Sequence, residues 1–170
     1  MDSRKRIRVI LFAIVALLFI SALLLLINNR CKSVSAYNAF AETIDSRKES
    51  DISLKIYAMG PGLIFTPYPY NTSDLLRSSS VIELDVSGQE LSNHLKQFED
   101  LQKNAFKPEL SRVYPSARVY YYFVVDDEKQ FEVVFPTSKG GVLINNVAYK
   151  WNPLFEALIL PFLPEGFLNP

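Results

Sequence analysis

ARVYYYFVVDDEKQFEVVF, residues 117–135, is the stretch whose reading decides the fold. From 117 to 125 it is almost wholly apolar or aromatic. Val119, Tyr121, Phe123 and Val125 fall on one side of an extended chain, and Tyr120, Tyr122 and Val124 on the other. β-Branched and aromatic residues at this density favour a strand, and a strand apolar on both sides belongs in the middle of a sheet. Asp126, Asp127, Glu128 and Lys129 read as a polar turn. QFEVVF then returns with Phe131, Val133 and Phe135 facing inward. The nucleus of the domain is therefore an antiparallel hairpin.

Working outward towards the C-terminus, Pro136 and Gly140-Gly141 end this hairpin. VLINNVAY, residues 142–149, reads as a second and tighter one, because Asn145-Asn146 tolerates the positive φ angles of a type I′ turn. Asn152-Pro153 is a helix start, an N-cap followed by proline at the first helical position. The segment LFEALILPFL that follows is apolar almost all round, interrupted by Glu156. It is too short to span a bilayer, and Pro161 kinks or ends it. The expectation is that residues 153–163 are enclosed by their own domain.

Working outward towards the N-terminus, SVIELDV, residues 80–86, alternates cleanly. Ile82, Leu84 and Val86 share one face; Val81, Glu83 and Asp85 share the other. Ser87 and Glu90 have capping-box spacing, with Val86 and Leu91 at the staple positions. A helix near 88–103 should follow, with Leu91, Leu95, Phe98 and Leu101 on its buried stripe. ISLKIYA, residues 52–58, alternates as a strand. In MGPGLIFTPYPYNTSD, Pro61, Gly62, Pro67 and Pro69 break regular structure, leaving a loop with room for a short strand at 63–66. Residues 37–50 place Tyr37, Phe40, Ala41 and Ile44 on one helical face. These elements predict an α+β fold: a single small domain with a mainly antiparallel sheet of about five strands packed against two helices.

The N-terminus is of another kind. Arg4, Lys5, Arg6 and Arg8 precede an apolar run from Val9 to Ile27 in which Ser21 is the only hydroxyl. At about 1.5 Å per residue such a helix crosses most of a hydrocarbon core roughly 30 Å thick. The run exceeds the length of a signal-peptide core, so the reading is an uncleaved signal anchor. Val34-Ser35-Ala36 has cleavage-site character, but lies well beyond the end of the run. Cys31 lacks the small or apolar residues that a lipoprotein signal needs before it. Basic residues resist translocation, which predicts the tail inside and the domain outside. The expected organisation is a cytoplasmic tail at 1–8, a transmembrane anchor at 9–27, a juxtamembrane stalk or short helix at 28–50 and an extracytoplasmic domain at 51–170. The chain is thus expected in the cell membrane as a single-pass protein, with the lipid bilayer as partner of residues 9–27.

Charge narrows the function classes. The whole chain is neutral, but residues 1–36 hold six of the eighteen Lys and Arg and one of the eighteen Asp and Glu. The remainder has a net charge of about −5, a poor basis for binding nucleic acid. A single cysteine, Cys31, excludes an intrachain disulfide. A single histidine, His94, excludes schemes that need a histidine pair, and its place at the border of the buried stripe is that of a structural residue. No metal site or cofactor motif occurs, and no catalytic residue is assigned. Asp126, Asp127 and Glu128 do not alternate as calcium ligands do and lack a bend glycine. Lys139-Gly140-Gly141 precedes a strand, where an anion loop would precede a helix. Asn71-Thr72-Ser73 is a formal glycosylation sequon, relevant only in a eukaryotic secretory pathway.

The candidate binding residues are Phe65, Tyr68 and Tyr70. Proline and aromatics alternate there, giving a stiff extended surface with amphipathic rings. The favoured function is a non-enzymatic module of a bacterial cell envelope that binds a protein or other envelope partner. The alternative is a carboxylate-dependent cell-envelope hydrolase, which requires Glu83 or Asp85 to line a cleft with a second acid.

Overall fold

The computed structural model describes residues 3–47, 52–59, 71–110, 117–136 and 141–167. The chain divides into two compact units, Met1–Lys32 and Ser33–Pro170. Helix α1, Ser3–Ser46, runs through 44 residues and contains the boundary between them.

From Ile10 to Ile27 α1 is apolar and largely bare. Phe12, Leu17, Leu18, Phe19, Leu24 and Leu26 are all more than 60% exposed. It is the one helix among the described residues long and apolar enough to cross a membrane, with a mean hydropathy of 3.3 in its 18-residue window. A helix suits such a sequence because it satisfies every backbone N–H and C=O internally. Ser21 follows the same rule, its hydroxyl donating 2.8 Å to the Leu17 carbonyl one turn back.

The second unit is built on a six-stranded antiparallel sheet of order β2-β1-β3-β4-β5-β6, one strand more than expected. The strands are β1 Ile52–Met59, β2 Val81–Ser87, β3 Val119–Val125, β4 Glu128–Phe135, β5 Val142–Ile144 and β6 Val147–Tyr149. β3 lies inside the sheet, as its two apolar sides demand. Two-residue turns join the hairpins: Asp126 and Asp127 at φ 49° and 64°, Asn145 and Asn146 at φ 45° and 65°. These are the angles of type I′ turns, whose twist matches the flanking strands. The first turn is shorter than the four-residue reading, and β4 resumes at Glu128. The register shifts at Phe123/Val124, so that Phe131 faces Phe123 and Lys129 faces Val124. Gln130 is the extra residue of a bulge.

The core lies on one side of the sheet. β1 gives it Leu54, Ile56 and Ala58; β3 gives Val119, Tyr121, Phe123 and Val125. The helices that cover it are α1, through Ala36, Phe40 and Ile44, then α3 (Gly88–Leu95) and α4 (Pro153–Ala157). Residues 28–50, expected as a stalk, are from Ser33 onward part of this unit. Phe40 is 1% exposed and meets Phe131 edge-on with ring centroids 5.4 Å apart. Phe106, which sequence reading passed over, is fully buried between Phe40 and Phe155.

The two covering helices are shorter than expected. α3 ends at Leu95 and passes into a 3₁₀ turn, Lys96–Phe98, where a helix to 103 was predicted. Its capping box does not form, because the Ser87 side chain makes no cap hydrogen bond. Ser87 stands at the N-cap position, and Gly88 after it takes a φ of 71°, outside the helical range that a capping box presupposes in the first turn. At the C-terminus, Asn152 caps α4 by accepting from Leu154 N at 3.0 Å. Leu160–Phe162 then tightens into a 3₁₀ turn containing Pro161. Phe155, Leu158 and Ile159 are fully buried, so the segment is enclosed on that side, whereas Leu160 stays 51% exposed.

Helix α2, Thr72–Arg77, packs Leu75 on the other side of the sheet, against Met59, Tyr120 and Val134. Its start is a capping box formed by Asn71 and Asp74.

Candidate functional site

Phe65, Tyr68 and Tyr70, and the short strand expected at 63–66, lie outside the described residues. The aromatic surface that the structure does describe is on the sheet itself. Strand pairing sets Glu83, Tyr57, Tyr120 and Val134 in one row across β2, β1, β3 and β4. The next row holds Asp85, Lys55, Tyr122 and Glu132. Both rows lie on the side away from the main core, where side chains two apart along each strand must stand together.

Three tyrosine rings meet there. Tyr57 stacks on Tyr120 at 6.1 Å and on Tyr122 at 6.2 Å, and Tyr120 and Tyr122 are 5.3 Å apart. Tyr120 is buried, while Tyr57 and Tyr122 are half exposed. Their hydroxyls bond to flanking carboxylates: Tyr57 donates to Glu83 Oε1 and Tyr120 to Glu132 Oε2, each at 3.0 Å. Lys129 Nζ donates to Glu132 at 2.6 Å and stands 5.8 and 5.5 Å from the centres of the Tyr120 and Tyr122 rings. Lys55 pairs with Asp85 at 2.9 Å.

These contacts shift titrations together. Burial, with the bonds to Tyr122 and Glu83, pushes the Tyr57 phenol up. Burial and the neighbouring Glu132 push Tyr120 up to about 12, against the opposing pull of Lys129. The Lys129 ammonium is disfavoured by burial, yet its bonds to Glu132 and Tyr120 prevail and raise it. Asp85 raises Lys55. The face is therefore a patch of tyrosine rings edged by ion pairs. Such a patch can stack a flat apolar group and exchange hydrogen bonds at its rim.

The hydrolase reading needed Glu83 or Asp85 in a cleft. Both are exposed, and their partners are Tyr57 and Lys55. A cleft of about 820 Å³ does open at the end of the sheet where β1 begins, lined by Ser53, Ser87, Gln89, Ser92, Asp126 and Asp127. Arg47 also borders it, but its guanidinium is already bonded to the Ile44 carbonyl and paired with Glu99. Neither Glu83 nor Asp85 lines this cleft. Cys31 is exposed on α1. Among the described residues no three His, Cys, Asp or Glu side chains gather closely enough to hold a metal ion.

Sequence reading placed Tyr120 and Tyr122 on the second side of a central strand and drew no surface from them. The signal it missed was Tyr57 on the neighbouring strand, with Glu83 and Lys55 beside it. Tyrosines edged by charge mark a sheet side that meets water.

Comparison with protein-family models, with curated proteins and with solved structures found no match.

Proposed function

We propose that this is a single-pass membrane protein, its N-terminal tail cytoplasmic and residues 9–27 retained as a signal anchor. Its folded domain stands outside the cytoplasm, in a bacterial cell envelope, and binds a protein or other envelope component without chemistry. The observation that carries the binding reading is the tyrosine face. Tyr57 and Tyr122 keep part of their amphipathic ring surface exposed on a sheet whose opposite side carries the main core. The anchoring reading is supported by the bare apolar surface of α1 and by the basic tail before it.

Two measurements test this. A membrane-impermeant thiol reagent on intact cells should label a cysteine placed at Ser92 in a Cys31→Ser chain. Labelling only after the cells are opened would reverse the orientation. A photo-crosslinking residue at position 122 should capture a discrete partner in the native membrane, whereas one at exposed Glu90, on α3, should not. Equal capture at both positions would remove the tyrosine face from the binding reading.

A further inference from the structure

Among the described residues, the buried side-chain atoms that lack any hydrogen-bond partner are Nε and Nη2 of Arg118. Arg118 stands at the entry to β3. Its N–H donates 2.9 Å to the Phe135 carbonyl, and its own carbonyl accepts from Met59 N at 3.0 Å. The backbone is thus fixed between β1 and β4, and the side chain must find its acceptors locally.

A guanidinium is permanently charged and has only donors. Burying part of it unpaired opposes folding strongly. The two orphaned nitrogens are neighbours, and together they form the side-on edge that meets a carboxylate or phosphate through two parallel hydrogen bonds. Orphaned donors of this kind call for an absent water or ion.

Among the described residues, the carboxylates on the tyrosine side of the sheet and at the α2 cap already have partners. Glu83 accepts from Tyr57, Glu132 from Tyr120 and Lys129, and Asp74 closes the cap with Asn71. Met59, Ala117, Pro136 and Gly141 all stand at this end of the sheet. The connections that begin or end at them, residues 60–70, 111–116 and 137–140, contain no Asp or Glu. This is unusual in a domain with a net charge of about −5 beyond residue 36.

We infer that Arg118 anchors an anion-binding site, its Nε–Nη2 edge taking a carboxylate or phosphate group of a ligand from outside the chain. The site is independent of the tyrosine face and stands even if Tyr57 and Tyr122 bind nothing.

The test uses the full chain in non-ionic detergent. Thermal unfolding is followed in sodium chloride, acetate or phosphate at equal ionic strength. A ligand held only by the folded state raises the midpoint, so acetate or phosphate should give a rise of several degrees over chloride. Arg118→Gln should abolish that rise, and Arg118→Lys, which keeps the charge and loses the fork, should retain only a minor part. A rise in phosphate alone assigns a phosphoryl group; in acetate alone, a carboxylate; in both, either oxyanion. Equal midpoints in the three salts overturn the site, with water left to fill the edge. So does a rise that Arg118→Gln retains, since excluded salts stabilise any fold. Should the variants fail to fold, binding is read on the wild-type chain by saturation transfer to acetate and by phosphorus line broadening of phosphate. Absence of both signals overturns the site equally.

Discussion

His94 Nε2 lies 3.1 Å from the Ala157 carbonyl oxygen and so ties α3 to the last residue of α4. The Leu158 carbonyl is 3.2 Å from the same nitrogen. A carbonyl oxygen only accepts, so the two of them place the donor proton on Nε2, and Gln97 approaches Nδ1 at 3.5 Å. The ring also meets Phe98 and Phe162 edge-on, at 5.2 and 5.1 Å. The one histidine is thus a fastener between two covering helices.

His94→Ala should therefore destabilise the protein by about 1–3 kcal/mol, through two carbonyls left without their donor and the lost ring contacts. Urea unfolding of the detergent-solubilised chain measures this directly. A loss within the noise of a surface substitution would mean that the tie contributes nothing.

Tyr121 makes the deepest polar contact of the sheet. Its hydroxyl donates 2.8 Å to the Phe155 carbonyl and is fully buried, which holds its phenol well above the usual value. Tyr57, Tyr120 and Tyr149 are raised as well, chiefly by burial. Above about pH 10 the unfolded chain releases phenolic protons that the folded chain still holds. Stability is then complete below pH 10 and is lost as the pH climbs towards the folded values, about 12 for Tyr120. Lys55 and Lys129, also raised, act in the same direction. Tyr121→Phe should cost about 1–2 kcal/mol at neutral pH, from the stranded carbonyl. It should also flatten the alkaline loss by up to about 1.4 kcal/mol per pH unit. Urea midpoints at neutral and alkaline pH decide both, and an unchanged alkaline slope would show that Tyr121 ionises as freely folded as unfolded.

Asn146 occupies φ 65° in the second type I′ turn, and Asn145 Oδ1 accepts from Glu132 N at 2.9 Å. Asn146→Gly should be neutral or slightly stabilising, and Asn146→Val should cost about 1–2 kcal/mol, because a β-branched side chain resists the left-handed region. Equal stability of the two variants would mean that this turn does not set the β5–β6 register.

What the sequence made legible follows from locality. β1, β2 and β4 announced themselves by alternation over seven or eight residues, β3 by apolar and aromatic residues on both sides, and the Asn145-Asn146 turn and Asn152 cap by two residues each. The misses are non-local or cancelled locally. Phe106 has no periodic neighbours, and only the rings of Phe40, Phe131 and Phe155 give it a place. The Ser87–Glu90 cap failed because Gly88 took positive φ, a choice that no pattern of side chains records. The Asn71–Asp74 capping box was readable, and the prolines just before it concealed it. The tyrosine face needed the register of β1 against β3, which no single stretch contains.

The far end of α1 gives the sharpest test of the fold. Sequence periodicity placed Phe40 and Ile44 on one helical face, but drew the domain boundary at residue 51. Phe40 and Ile44 are 1% and 4% exposed, and Arg47 closes the helix on Glu99 and on the Ile44 carbonyl. Removing these side chains leaves Phe106 and Phe131 facing a void on the side Phe40 filled. Phe40→Ala should cost about 3–5 kcal/mol, the usual loss for a buried aromatic. Since whole domains are stable by about 5–15 kcal/mol, losing Ala36, Phe40 and Ile44 together should abolish folding. A chain beginning at residue 33 should therefore unfold cooperatively in urea, whereas one beginning at residue 51 should show no cooperative transition and bind hydrophobic dyes. If the shorter chain unfolds at the same midpoint as the longer, the end of α1 is a removable stalk and the core is complete without it.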